Sequence, residues 1–440
     1  MDHLITKLIL YTDDGEVSLL RQMNSFFKKF SQNTEADRLI SEAYQLIKQL
    51  LKISTDFGFD GNLWQCYISY YLIMNENPYS LTCEKVGRSK GSVNYFAKND
   101  FEIFYELFNY DFSKVENKLQ IDVFSRISNY QAIKKPNSLY NQNISKRVVT
   151  LYKQLKNGEN GEAFYDLITK YHENFGVGQF SVNKAFRIVN SRKSEMELFQ
   201  AINNLDQVML HDLIGYEMQK QKLIENTKAF VKGQRANNVL LFGDSGTGKS
   251  TSIKAIVNEF YDQGLRMIEI YKHQFKDLSS VIAAIKNRNY RFIIFMDDLS
   301  FEEFEIEYKF LKAVIEGGIE TKPDNILIYA TSNRRHLIRE TWKDRSDMEK
   351  DQELHRSDTM QEKLSLVNRF GVTIFYERPS QNEYFHIVEE LAKSEGLKID
   401  TESLKVEANI WEMRHGGISG RTAQQFINHL LTLQQLEENK

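Results

Sequence analysis

Val239–Thr251, VLLFGDSGTGKST, decides how the second half of the chain is read. The apolar run Val239–Phe242 leads directly into Gly243-Asp244-Ser245-Gly246-Thr247-Gly248-Lys249-Ser250, which has the spacing G-x-x-x-x-G-K-[ST]. Glycines at these places let backbone N–H groups turn inward around phosphate oxygens, and a helix starting at Lys249 points its positive end at them. In such a loop Lys249 reaches the β- and γ-phosphates and Ser250 offers a hydroxyl to Mg2+. The stretch predicts a strand–loop–helix unit built to hold a nucleotide.

Around it, short apolar runs rich in β-branched and aromatic residues alternate with longer helical stretches: Val239–Phe242, Met267–Tyr271, Phe292–Met296, Ile326–Ala330 and Val372–Phe375. This alternation predicts an α/β core over 206–378 with a parallel five-stranded sheet and flanking helices. Three helical segments follow from Gln381, separated by EGLK (Glu395–Lys398) and HGGISG (His415–Gly420), and predict a helical lid over 379–440. Residues 1–205 read as a mostly α-helical domain. Between Glu35 and Lys52, the residues Ile40, Ala43, Tyr44, Ile47, Leu50 and Leu51 recur at helical spacing and predict one core-facing stripe. Similar patterning covers Trp64–Met74, Asp100–Phe108 and Ile144–Leu155, with turn signals at Asn75–Pro78 and Lys134–Ser138. Phe175–Ser181, FGVGQFS, contains a G-x-G but lacks a preceding strand and a third glycine, so it reads as a turn between helices.

Composition narrows the function classes. The 440 residues suffice for roughly three domains. With 57 basic and 60 acidic side chains the net charge is −3, so bulk attraction to polyanions is not on offer and any nucleic-acid contact has to be local. No basic-aromatic stripe or peptide groove is legible in residues 1–205. Cys66 and Cys83 are the only cysteines, which excludes a disulfide framework and a four-cysteine zinc site. Nine histidines show no H-x-x-x-H spacing, so no metal other than Mg is expected. The start MDHLITKLILYTDDGE is unlike a signal peptide, and no apolar stretch approaches the ~18 residues of a membrane span. The expectation is a cytoplasmic protein.

Further chemistry follows the phosphate loop. Arg291–Asp298, RFIIFMDD, is an apolar strand ending in paired carboxylates, Asp297 suited to the metal shell and Asp298 to polarising a water. Glu302 and Glu303 lie close behind, either as a longer-reaching carboxylate or as a solvated acidic turn. The strand in NILIYATSN ends at Asn333, where an amide can sit beside the γ-phosphate and orient water. Arg334, Arg335, His336 and the charged stretch Lys343–Arg356 read as solvated segments with a second reading at the nucleotide or a subunit face.

Gly243–Ser250, Asp297-Asp298, Asn333, SLVNRFG (Ser365–Gly371) and SGRTA (Ser419–Ala423) together resemble the AAA+ ATPases in order and spacing. The resemblance implies Walker A with Thr251 beside it, Walker B, sensor 1 at Asn333, an arginine finger at Arg369 and sensor 2 at Arg421. ATP and Mg2+ follow as cofactors. A homo-oligomer follows as the assembly, a ring of six being the family form, with Arg369 entering a neighbour's site. His211–Thr227, HDLIGYEMQKQKLIENT, resembles the segment that encloses adenine, which points to Ile214, Gly215 and Tyr216. No N-K-x-D motif occurs, so guanine reading finds no support.

A narrower resemblance, carried by GNLWQCYISYYLIMNENPYS, HENFGVGQFSVNKAFRIV, MDDLSFEE and EKLSLVNRFG, is to bacterial predicted AAA+ ATPases grouped as a domain of unknown function. It names no client. One departure stands out: Asp298 occupies a place where most AAA+ members carry glutamate. The expected activity is ATP hydrolysis that remodels or loads a macromolecular client. The alternative is a slow, ATP-gated binding switch, and a DNA-associated one is implied by the Asp-Asp and R-F-G pattern shared with helicase loaders.

Overall fold

A computed structural model describes residues 1–12, 18–32, 34–133, 142–189, 198–203, 205–301, 307–316, 323–333 and 366–438. The chain forms two compact units, Met1–Asn183 and Lys184–Lys440.

The first unit is helical, as its periodicity predicts. Its long helices are Leu19–Ser31, Ala36–Phe57, Leu63–Met74, Val93–Phe108, Gln142–Leu155 and Gly161–Phe175. The stripe on Ala36–Phe57 is the expected one at five of its six residues: Ala43, Ile47 and Leu50 are buried and Ile40 and Leu51 pack partly buried against the core, with Leu39 and Leu46 buried beside them, whereas Tyr44 is half exposed. A tyrosine tolerates that position because its hydroxyl end stays wet. Phe175–Ser181 is a turn between helices, with Gly176 and Gly178 at positive φ. Cys66 and Cys83 are buried free thiols.

The second unit is built on a seven-stranded sheet. Its strands are β1 (Ala185–Ile188), β2 (Phe199–Ala201), β3 (Val239–Gly243), β4 (Leu265–Glu269), β5 (Arg291–Met296), β6 (Ile326–Ser332) and β7 (Val372–Tyr376). Their order is β2-β1-β4-β5-β6-β3-β7, parallel throughout except β1 with β2. The five expected strands are all present, but the sheet is wider than five. Ala185–Ile188 and Phe199–Ala201, expected in the helical half, add two strands at the β4 edge through the pairing of Ala185 with Met267. That pairing is why the compact units divide at Asn183 and not at 205. Strand β4 also begins two residues earlier than its apolar run suggested, because Leu265 and Arg266 pair with Arg291 and Phe292.

The central strands read as continuous apolar runs since helices cover both faces; Ile293, Ile294 and Phe295 are fully buried. From β3 the chain crosses to β4, returns through β5 to β6, then places β7 on the other side of β3. Strand order thus reverses beside β3, where open α/β sheets leave a crevice at the carboxyl ends of their strands. Three further helices, Gln381–Ser394, Thr401–Arg414 and Gly420–Glu438, pack around Tyr384, Val388, Leu404, Ala408 and Phe426. Ser380 opens this bundle with a capping box closed by Glu383.

Candidate nucleotide site

Strand β3 ends in Gly243, whose φ of 133° and position leave no room for a side chain: an added Cβ would stand 2.1 Å from the Tyr376 carbonyl oxygen of β7. Gly246 and Gly248 also take positive φ, 76° and 88°, and the helix Lys249–Phe260 starts directly after them. Glycine alone holds this backbone without strain. The turn is fastened by Thr247 Oγ1, which donates to the Asp244 carbonyl at 2.8 Å, and by the Asp244 amide, which donates to Tyr376 O at 3.1 Å. Asp244 Oδ2 accepts the Arg378 amide at 3.0 Å, so this carboxylate holds the loop against the chain leaving β7.

Lys249 is only 6% exposed, and its Nζ donates to the carbonyls of Gly243 at 2.9 Å and Asp244 at 2.5 Å. Burial pulls its pKa down, against the opposing pull of Asp244, Asp298 and Asp297. A buried ammonium held by neutral carbonyls keeps a strong attraction for an anion.

The paired acids stand across from it. Ser250 Oγ donates to Asp297 Oδ1 at 2.5 Å, and Thr331 Oγ1 donates to the same oxygen at 2.6 Å. A hydroxyl and a carboxylate converging on one point are the oxygen donors a hard divalent cation takes beside phosphate, so these residues fit Mg2+. Asp298 lies at φ 49°, an uncommon place for a non-glycine residue. Its amide donates to Thr331 Oγ1 at 2.9 Å, and its Oδ1 accepts from Asn333 Nδ2 at 2.9 Å. Asn333 and the second acid are therefore one hydrogen-bonded pair.

A cleft of about 1160 Å³ runs between the phosphate loop and the helical bundle. Ser245 through Thr251, Asp297, Asp298, Asn333 and Arg421 line it. Arg421 is brought there by its amide, which donates to Gly246 O at 3.2 Å. Ile214 and Tyr216 line the cleft too, while Gly215, at φ 80°, does not. Tyr216 packs on Tyr376 with ring centroids 5.0 Å apart and donates to Glu377 O at 2.9 Å. Gly243 and Asp244 shape the loop from behind without lining the cleft. Arg369 is exposed, lies in the short turn before β7, and is not part of this cleft. Glu302, Glu303, Arg334, Arg335, His336 and 343–356 lie outside the described residues.

Sequence reasoning missed Thr331, although it stands two residues before Asn333 on a strand, where period-2 alternation puts both side chains on one side. It also missed the apolar wall made by Val208, Leu213, Ile387 and Leu391. Ile387 and Leu391 are four apart on a helix and so share a face.

A parallel sheet in this order, with a phosphate loop after β3, paired acids after β5, an amide after β6 and a helical lid, defines an AAA+ P-loop protein. Residues 182–434 match the family described as "Protein of unknown function (DUF815)", and the chain belongs to that family. The segment Gly61–Ser80 lies outside the matched residues. No curated protein matches the chain. Among solved structures it is similar to a mutant RuvB of Thermotoga maritima, at 15% identity and TM-score 0.37, covering 52% of this chain and 66% of that one. A second RuvB mutant gives 16% identity and TM-score 0.37, over 52% and 67% of the two chains. The T. maritima RuvB described as a Holliday junction branch migration motor gives 14% identity and TM-score 0.31, over 50% and 71%.

Proposed function

We propose that the cleft binds ATP with Mg2+ and hydrolyses it, as a cytoplasmic homo-oligomer, a hexamer by family expectation, that remodels or loads a macromolecular client. The observation that carries this reading is the convergence of Lys249, the Ser250–Asp297 pair and Arg421 on one glycine-rich loop at a helix N-terminus. The loop amides and Lys249 hold the β- and γ-phosphates. Ser250 and Asp297 would hold Mg2+, which when bound would supply neutralisation of the phosphate charge. Asp298 polarises the attacking water and Asn333 fixes the carboxylate that does so. Arg421 meets the phosphates from the lid, residues 379–440, and couples lid position to nucleotide state. Ile214 and Tyr216 with Val208, Ile387 and Leu391 take the adenine face. Arg369, exposed and outside its own cleft, serves the neighbouring subunit's site. The helical N-terminal domain selects the client, and the core of residues 206–378 supplies the motor.

One observation favours a slower protein. Asp298 is the shorter acid and its Oδ1 is already engaged by Asn333, which suits an ATP-gated switch, the DNA-associated loader included, in which binding outlasts turnover. Phosphate release by the wild type, Asp298→Ala and Arg369→Ala separates the two. Turnover that falls in both variants supports the ATPase. Equal, negligible turnover in all three, with ATP bound, supports the switch and overturns hydrolysis.

A further inference from the structure

The unit Met1–Asn183 carries 21 basic and 21 acidic residues, 21 − 21 = 0, so a local excess of one sign stands out. Lys85 to Asn99 holds Lys85, Arg88, Lys90 and Lys98 with no acid between them. The stretch is the end of the helix Pro78–Val86, a loop, and the first turns of the helix Val93–Phe108. Asn94 Nδ2 donates to Ser89 O at 2.8 Å and ties the loop to the helix. Arg88 and Lys98 lie over the same ring, Tyr165, at 5.8 and 5.0 Å from its centroid, so loop and helix bring their cations together. The cations and rings all fall within Lys85–Asn99, but their shared contact with Tyr165, far along the chain, shows only in the structure.

Arg88 pairs with Asp166 at 2.8 Å and Lys98 with Glu162 at 2.7 Å. Lys85 and Lys90 are exposed and have no ion pair among the described residues. In the same segment two sequence-adjacent aromatic side chains stand in solvent, Tyr95 at 78% exposure and Phe96 at 48%. Neither ring meets another aromatic ring among the described residues. Around Gly91 the surface is open, with nothing within 4 Å of where a Cβ would be.

We propose that this surface binds single-stranded nucleic acid, with Lys85 and Lys90 on the phosphates and Tyr95 and Phe96 stacked on bases. The pairing of free cations with free ring faces is what an unpaired strand offers partners for. A duplex presents the phosphates but hides its base faces. An anionic membrane would take the cations too, yet Tyr95, Phe96 and Val86 are a small apolar area for insertion, and Ser89, Ser92 and Asn94 between them are polar.

The test is fluorescence anisotropy of a labelled oligothymidylate with the full-length chain, beside the matching duplex and phosphatidylserine vesicles. The single strand binds tightest, and raising salt from about 50 to about 200 mM weakens it about sevenfold, as two phosphate contacts require. Tyr95→Ala with Phe96→Ala weakens binding about thirtyfold or more with the salt slope kept. Lys85→Glu with Lys90→Glu weakens it as much and flattens the slope. Both pairs leave ATP-analogue binding and the thermal midpoint unchanged, which separates a lost contact from a lost fold. Absent binding by the wild type, equal binding by both variants, duplex binding as tight as single-strand binding, or retention on vesicles without oligonucleotide binding each overturns the proposal.

Discussion

The Thr331 hydroxyl bridges the two acids that follow β5, donating to Asp297 Oδ1 at 2.6 Å while accepting the Asp298 amide at 2.9 Å. It is 2% exposed, and its carbonyl also accepts the Leu299 amide at 2.7 Å, so β6 fixes the chain on both sides of Asp298. Asp298 holds its φ of 49° only because its neighbours are fixed in this way. Thr331→Val keeps the shape and removes both side-chain hydrogen bonds. The expected result is a fall of roughly 10- to 100-fold in turnover, the usual cost of losing a partner that orients a metal-binding carboxylate. ATP affinity changes far less, and Thr331→Ser restores turnover. Phosphate release and fluorescent-nucleotide titration check this, and unchanged turnover in the valine variant would rule out the positioning role.

Gly243→Ala tests the loop from its rear. The added methyl meets the Tyr376 carbonyl at 2.1 Å on a backbone at φ 133°, and neither partner is a flexible side-chain end. The expected cost is about 3 kcal/mol or more, from strain plus the separation of β3 from β7. A lowered thermal midpoint together with weakened nucleotide binding is the predicted pair. A variant as stable as the wild type contradicts it.

These two residues also mark what was legible before the structure. Gly243 belongs to a motif whose spacing carries its own geometry, and the loop, the acids and Asn333 all fall where the motif order puts them. Thr331 was legible in principle by strand alternation, but an ordinary threonine in an apolar strand carries no chemical signature until Asp297 is beside it. Strands β1 and β2 were not legible, because four and three residues give no periodicity and the partner of Ala185 is Met267, far along the chain. Tyr44 shows the converse: its spacing fits the buried stripe, and only packing decides that Leu46 is buried in its place.

Arg369 and Asp298 bear on assembly. Arg369 stands outside the cleft that contains Asp298. If Arg369 acts across a subunit boundary, Arg369→Ala binds ATP normally and hydrolyses it about 1000-fold more slowly or worse. Mixing Arg369→Ala with Asp298→Ala then regains activity above either variant alone, since some interfaces combine an intact acid with an intact arginine. Activity in the mixture equal to the average of the two variants removes the trans role.

His172 makes the helical unit sensitive to acid. The ring is fully buried. Its Nδ1 lies 3.2 Å from Gly176 O, which can only accept, so Nδ1 carries the proton and Nε2 is left to accept from Tyr11 Oη at 3.4 Å. Burial lowers its pKa from 6.5 to about 4, against smaller opposing effects of Gly176 O and Glu84. Above pH 6.5 the ring is neutral folded or unfolded, and its contribution is complete. Between pH 6.5 and 4 the unfolded chain takes up a proton that the folded chain refuses, so stability falls as pH falls. At pH 5 this removes about 2 kcal/mol relative to pH 7. His172→Asn cannot titrate and escapes that part of the loss, although the smaller side chain lowers its stability at pH 7. Thermal midpoints of both proteins at pH 7 and pH 5 therefore draw closer together at the lower pH. A gap of constant size would mean that the ring is protonated in the folded protein without cost, and the buried neutral state would be wrong.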